Sequence, residues 1–66
     1  MVDTHSMNVI SLTLDDPHAE ALAQFCKRSF LDRVRIFSAS ETEARQMVDA
    51  IHELRHALAE AGFAPR

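Results

Sequence analysis

The pentapeptide His52-Glu53-Leu54-Arg55-His56 has the form HExxH. On a helix the two imidazoles of such a pair lie one turn apart on one face, where they can ligate zinc while the carboxylate activates a metal-bound water. Glu60 extends the row by another turn, so His52, His56 and Glu60 are the set with metal-ligand spacing. A hydrolytic zinc also needs a further fixed ligand and a cleft that excludes bulk water. A chain of 66 residues has little material to wall such a cleft, and a helical wheel turns the row roughly 100–180° away from the apolar seam of its own helix. The row is therefore expected to be a solvated charged face, and the chain a non-enzymatic protein with no catalytic residue, bound metal or cofactor. Cys26 is the single cysteine, which excludes a disulfide within the chain. With no suitably spaced His/Asp set beside it, it is expected to be a small apolar core residue of a reduced, cytoplasmic protein.

The element that carries this row is legible from end to end. Ser40 is placed to cap a helix and Glu43 to complete a capping box. Gly62 suits a left-handed C′ position, with Phe63 and Leu58 where a Schellman motif brings two apolar side chains together, and Pro65 prevents resumption. Between these signals Ala44, Met47, Ile51, Leu54, Leu58 and Ala61 recur at 3–4 spacing, the stripe of a helix packed along its length. Upstream, Ile10, Leu12 and Leu14 alternate with Val9, Ser11 and Thr13, the pattern of a half-buried strand. Asp16 as N-cap and Pro17 at N1 open a first helix to Arg28, with Leu22, Phe25 and Cys26 as its stripe. Across residues 31–38 the spacing of Leu31, Val34 and Phe37 or Ser38 favours a short helix over a strand from Arg33 to Ser38, with Asp32 at N3 of that helix. Phe25, Phe30 and Phe37 read as core.

The expected fold is mainly α with one short N-terminal β-strand, in the order β-α-(short α)-α. Residues 1–7 read as a flexible tail and 8–66 as one small helical domain. A lone strand leaves its backbone groups unpaired, so the strand is expected to pair with its copy in a two-fold homodimer. Ile10, Leu12, Leu14, Met47, Ile51, Leu54 and Leu58 would form the dimer or core seam. Such a small chain needs help of this kind, because it buries too little surface alone.

Charge bears on partners. The net charge is −3, unlike that of a dedicated nucleic-acid binder. Yet Lys27, Arg28, Arg33 and Arg35 hold four of the seven basic residues within nine positions. They are the expected partner contacts, with Asp49, Glu53 and Glu60 as the opposite pole. No apolar run approaches the length of a membrane span.

Several stretches resemble a family of short proteobacterial proteins without an assigned activity, often found near phage and mobile-element genes. They are Leu12-Thr13-Leu14, the run Ala21-Leu22-Ala23-Gln24-Phe25-Cys26-Lys27-Arg28, Glu43-Ala44 with Met47, and the closing run Ala57-Leu58-Ala59-Glu60-Ala61-Gly62-Phe63-Ala64-Pro65-Arg66. The resemblance implies a setting in which small proteins bind host machinery, including inhibitors of bacterial defence complexes of the CRISPR type. The leading expectation is thus a protein-binding regulator or inhibitor. A strand followed by two helices also resembles the ribbon-helix-helix arrangement, which makes a dimeric DNA-binding repressor or antitoxin the alternative. Against it, the outward set Val9, Ser11 and Thr13 lacks a bidentate base reader, and Glu41 and Glu43 sit where phosphate would approach.

Overall fold

Two consecutive aspartates precede Pro17, and the backbone uses the first. In the structure, a computed structural model that describes residues 6–64, Asp15 caps helix α1 (Asp16–Arg28) and its carboxylate accepts the His18 backbone N–H at 3.0 Å. This corrects the assignment of Asp16 as cap. Proline lacks only an N–H that the first turn leaves unpaired anyway, so it fits one position further in, and Asp16 then faces the positive end of the helix dipole. At the other end, the Ser29 hydroxyl donates to the Phe25 carbonyl at 2.6 Å.

The middle segment is helical, as the 31/34/37 spacing predicts: α2 (Leu31–Val34) tightens directly into a 3-10 turn over Arg35–Phe37. Phe30 occupies the cap position and no side chain caps it, so Asp32 lies one position earlier than expected. Asp32 instead pairs with Arg35.

Helix α3 (Glu41–Glu60) follows its sequence signals closely. The Ser40 hydroxyl accepts the Glu43 N–H at 3.1 Å, while the Glu43 carboxylate reaches back to the Ala39 N–H at 2.7 Å. Gly62 sits at φ +100°. Its N–H bonds the Ala59 carbonyl at 3.0 Å, and the Phe63 N–H bonds the Leu58 carbonyl at 2.8 Å. That is the double closure of a Schellman turn, and it folds Phe63 back onto the apolar cluster that contains Leu58.

The N-terminal segment departs from expectation. Residues 6–15 carry no regular structure, and among the described residues there is no β-strand. The described body is α1–α2–α3, not β-α-(short α)-α, and the ribbon on which the ribbon-helix-helix likeness depended is not formed. A strand exists only by exchanging backbone hydrogen bonds with a neighbouring strand. Beyond Asp15 nearly all of the described chain has gone into helices and tight turns, so alternation gives the segment an apolar face without a partner. Ile10 and Leu12 stand 86% and 63% exposed. Of the tail expected over residues 1–7, residues 1–5 lie outside the described part, as does Pro65.

The core forms where α1 packs on α3, through Ala19, Ala23, Cys26 and Leu58, with Leu22, Ile51, Leu54 and Phe63 half-buried around them. Val34 and Ala44 are also buried, and α2 too lies against α3. Small residues let the helices approach closely but remove little area from water. The three aromatics read as core are corrected: Phe25, Phe30 and Phe37 are each more than half exposed. The reason is the shape. The molecule measures 39 × 27 × 15 Å, a thin body in which the described residues form three α-helices and one 3-10 turn. No second layer lies over these rings. The chain exposes 5733 Å², about a third more than the roughly 4,200 Å² expected of a compact monomer of its mass.

Candidate protein-binding groove

Helix α1 buries Ala19, Ala23 and Cys26 against α3. The side chains one step around, Ala21, Phe25 and Arg28, therefore point along a different face. They form one wall of an open groove; Arg33, Ile36 and Phe37 of α2 and the 3-10 turn form another. The groove has a volume of about 680 Å³, and Val34 and Ile51 also line it. Its lining is mostly apolar, with Arg28 and Arg33 as its charged members. The Arg33 guanidinium lies 5.5 Å from the centre of the Phe30 ring, a cation–π contact worth about 0.5–1 kcal/mol at an exposed site. A groove of this kind can accept apolar side chains and pair two guanidiniums with carboxylates or backbone carbonyls at its rim.

The structure divides the expected basic cluster. Arg28 and Arg33 line the groove, and Lys27 is half-buried on α1. Arg35 is withdrawn from it: its Nε and Nη2 donate to the two Glu41 carboxylate oxygens at 2.8 and 2.9 Å, and Nη1 pairs with Asp32. Glu41 also meets Arg45 at 3.2 Å. The bidentate bond from Arg35 holds the Glu41 carboxyl below the usual carboxylate range. Arg35 thus clamps the 3-10 turn to the start of α3, so its charge is spent within the fold.

The HExxH row is where the wheel places it. His52, Glu53, His56 and Glu60 are exposed on α3 with Asp49, and His56 Nε2 lies 3.2 Å from Glu60 Oε1. Among the described residues no three His, Cys, Asp or Glu side chains gather in a metal-binding geometry. Asp49 lines a second, smaller hollow of about 280 Å³ with Leu31, Arg45 and Val48. In the seam, Leu58 is buried, and Met47, Ile51 and Leu54 are half-buried. Burial pushes the Cys26 thiol above its ordinary pKa, against a smaller opposing pull from Arg55.

Sequence reasoning found the arginines but missed the groove's apolar part, because it assigned Phe25 and Phe37 to the core. The available signal was arithmetic: four phenylalanines and a full apolar seam are too many for the core of a 66-residue chain.

Fold and groove together define a small helical single-layer protein with an apolar, arginine-rimmed surface groove. The chain belongs to a family of unknown function, DUF7706, whose model matches residues 2–66. No curated protein and no solved structure matches it. Among the described residues, no helix is long and apolar enough to cross a membrane.

Proposed function

We propose that the protein is a non-enzymatic binding module that acts by docking another protein segment in the groove between α1 and the 3-10 turn. The observation that carries this is the concentration of exposed large apolar side chains beside Arg28 and Arg33. Contiguous apolar surface rimmed by polar groups is what protein contacts use. The groove suits an apolar segment bearing acidic groups, and the exposed charges Asp49, Glu53 and Glu60 offer a separate contact on α3. The reduced, buried Cys26 supports a cytoplasmic setting.

A photo-crosslinking side chain at position 37, activated in bacterial lysate, is expected to form protein adducts that disappear in the Arg28→Glu/Arg33→Glu variant. The same probe at position 53 should not share those adducts. Absence of any protein adduct at position 37 overturns the proposal. The narrower form, a phage- or mobile-element-encoded inhibitor of a CRISPR-type defence complex, rests on the sequence resemblance alone. It predicts restored phage plaque formation on an immune host that expresses the protein, and unchanged plaque counts refute it.

A further inference from the structure

The groove is not the only apolar surface left in water. Met7, Val9 and Ile10 on the N-terminal arm are all more than 85% exposed, so this part of the arm does not fold back on its own body. It makes no hydrogen bond between residues 6 and 14. We infer that the groove is occupied by the N-terminal arm of a second copy of this chain, each copy laying its arm in the other's groove.

Three observations argue for this occupant. The first is shape. Extended residues rise about 3.3 Å each, so Ile10, Leu12 and Leu14 present a row about 13 Å long on one side of the arm. The α1 wall from Ala21 to Arg28 runs about 10 Å, and the groove volume of about 680 Å³ has room for several aliphatic side chains. The second is area. Met7, Val9, Ile10 and Leu12 on the arm and Phe25, Phe30, Ile36 and Phe37 on the body are all more than half exposed. With an aromatic presenting 150–250 Å² and an aliphatic somewhat less, they leave about 1,000 Å² of apolar side chain per copy in water. A stable interface takes about 800 Å² from each partner; the row in the groove supplies part of it, and Met7 and Val9, on the other side of the arm, add to it where they meet the groove's rim. The third is charge and hydrogen bonding. The arm carries backbone carbonyls without a hydrogen bond and leads into Asp16, the first residue of α1, while Arg28 and Arg33 at the groove supply donors to both. The contact is isologous and closes on itself, as a two-fold dimer requires. It rests on the reading of the groove as a protein-binding site and names what binds there.

Sedimentation equilibrium at micromolar concentration is expected to give twice the chain mass for the full protein. Deleting residues 1–14, and separately Phe37→Glu, should each give the monomer. The altered side chains are exposed, so circular dichroism should retain the helices of the body. The mixture is the discriminating arm. The deleted chain keeps its groove and the Phe37→Glu chain keeps its arm, so together they form a heterodimer through one contact, at least tenfold weaker than the parent dimer. A monomeric full chain, a dimer that survives the deletion, or a mixture that stays monomeric overturns the inference. If the full chain is monomeric while the probe at position 37 still captures a foreign protein, arm exchange fails and the binding reading stands. If position 37 captures neither a second copy nor a foreign protein, both fail.

Discussion

Replacing Gly62 by L-alanine isolates the backbone contribution of the turn that closes α3. A β-carbon built at this position meets no atom within 4 Å, so sterics with neighbours contribute nothing. What remains is the conformation itself: at φ +100° an L residue is strained by about 1–2 kcal/mol. A domain of this length has a total stability of roughly 3–10 kcal/mol, so the loss is a substantial share. It lowers Tm by roughly 5–15 °C. The substitution strains the bonds from Gly62 and Phe63 to Ala59 and Leu58, and so loosens Phe63 from the core. D-alanine reverses the sign. It is at ease at positive φ and reduces the freedom of the unfolded chain, which stabilises by about 0.4–1 kcal/mol. Both proteins are within reach of total chemical synthesis. Thermal and urea melts at one fixed protein concentration compare them, because self-association would otherwise shift both curves. Equal stability of the L- and D-alanine proteins would refute the argument that φ at position 62 governs this end of the helix.

At the other end of α3, Ser40→Ala is expected to cost about 1 kcal/mol and Ser40→Gly only a few tenths, read from the same melts. Leu58→Ala removes the largest well-buried side chain of the α1–α3 contact and should cost about 2–4 kcal/mol, whereas Phe30→Ala, at a position already 61% exposed, should cost under about 1 kcal/mol in the monomer. The Asp15 carboxyl is held below its usual range by the His18 backbone N–H and then by the His18 side chain, and Glu41 by Arg35. A carboxylate with a depressed folded-state pKa contributes stability above its unfolded value and loses it as pH falls through the folded one. Helicity should therefore fall as pH drops below about 4, and less steeply in the Asp15→Asn protein. Cys26 should react with a thiol reagent far more slowly in the folded chain than in urea, since it is buried and its thiol pKa is raised; equal rates would contradict its place in the core.

The helices were readable because their determinants are local. Ser40, Glu43, Gly62 and Phe63 each act on backbone groups within a turn of themselves, so their residue types announce the bonds they make. Asp15 was misassigned because two adjacent aspartates before a proline satisfy the same local rule in two registers. The N-terminal arm was misread for a different reason. Alternation at Ile10, Leu12 and Leu14 records that one side is apolar, but strand structure depends on a neighbour's backbone, which local sequence does not encode. Likewise, Phe25 and Phe37 are apolar enough for a core. Whether a layer exists to cover them depends on how many elements the chain can stack, and three helices with small contact residues make only one layer. The charged candidates were visible as a cluster in sequence, yet which arginine stays available was decided by the six-residue span that lets Arg35 reach Glu41.

That short span has a kinetic consequence. The polar contacts of Asp15, His18, Arg35, Glu41, Glu43, Arg45 and His56 all join residues six or fewer positions apart, and an apolar cluster ties α1 to α3 across the chain. Little loop entropy stands between the unfolded chain and its helical body, which places folding in the microsecond-to-millisecond regime of low-contact-order helical proteins. Met7, Val9 and Ile10, exposed in the folded chain, contribute little to that step. Association through the arm, as inferred above, would be a separate, concentration-dependent phase that begins after the body has formed, and a newly made chain would then pass through a folded, arm-exposed monomer whose lifetime is set by how much of the protein is present.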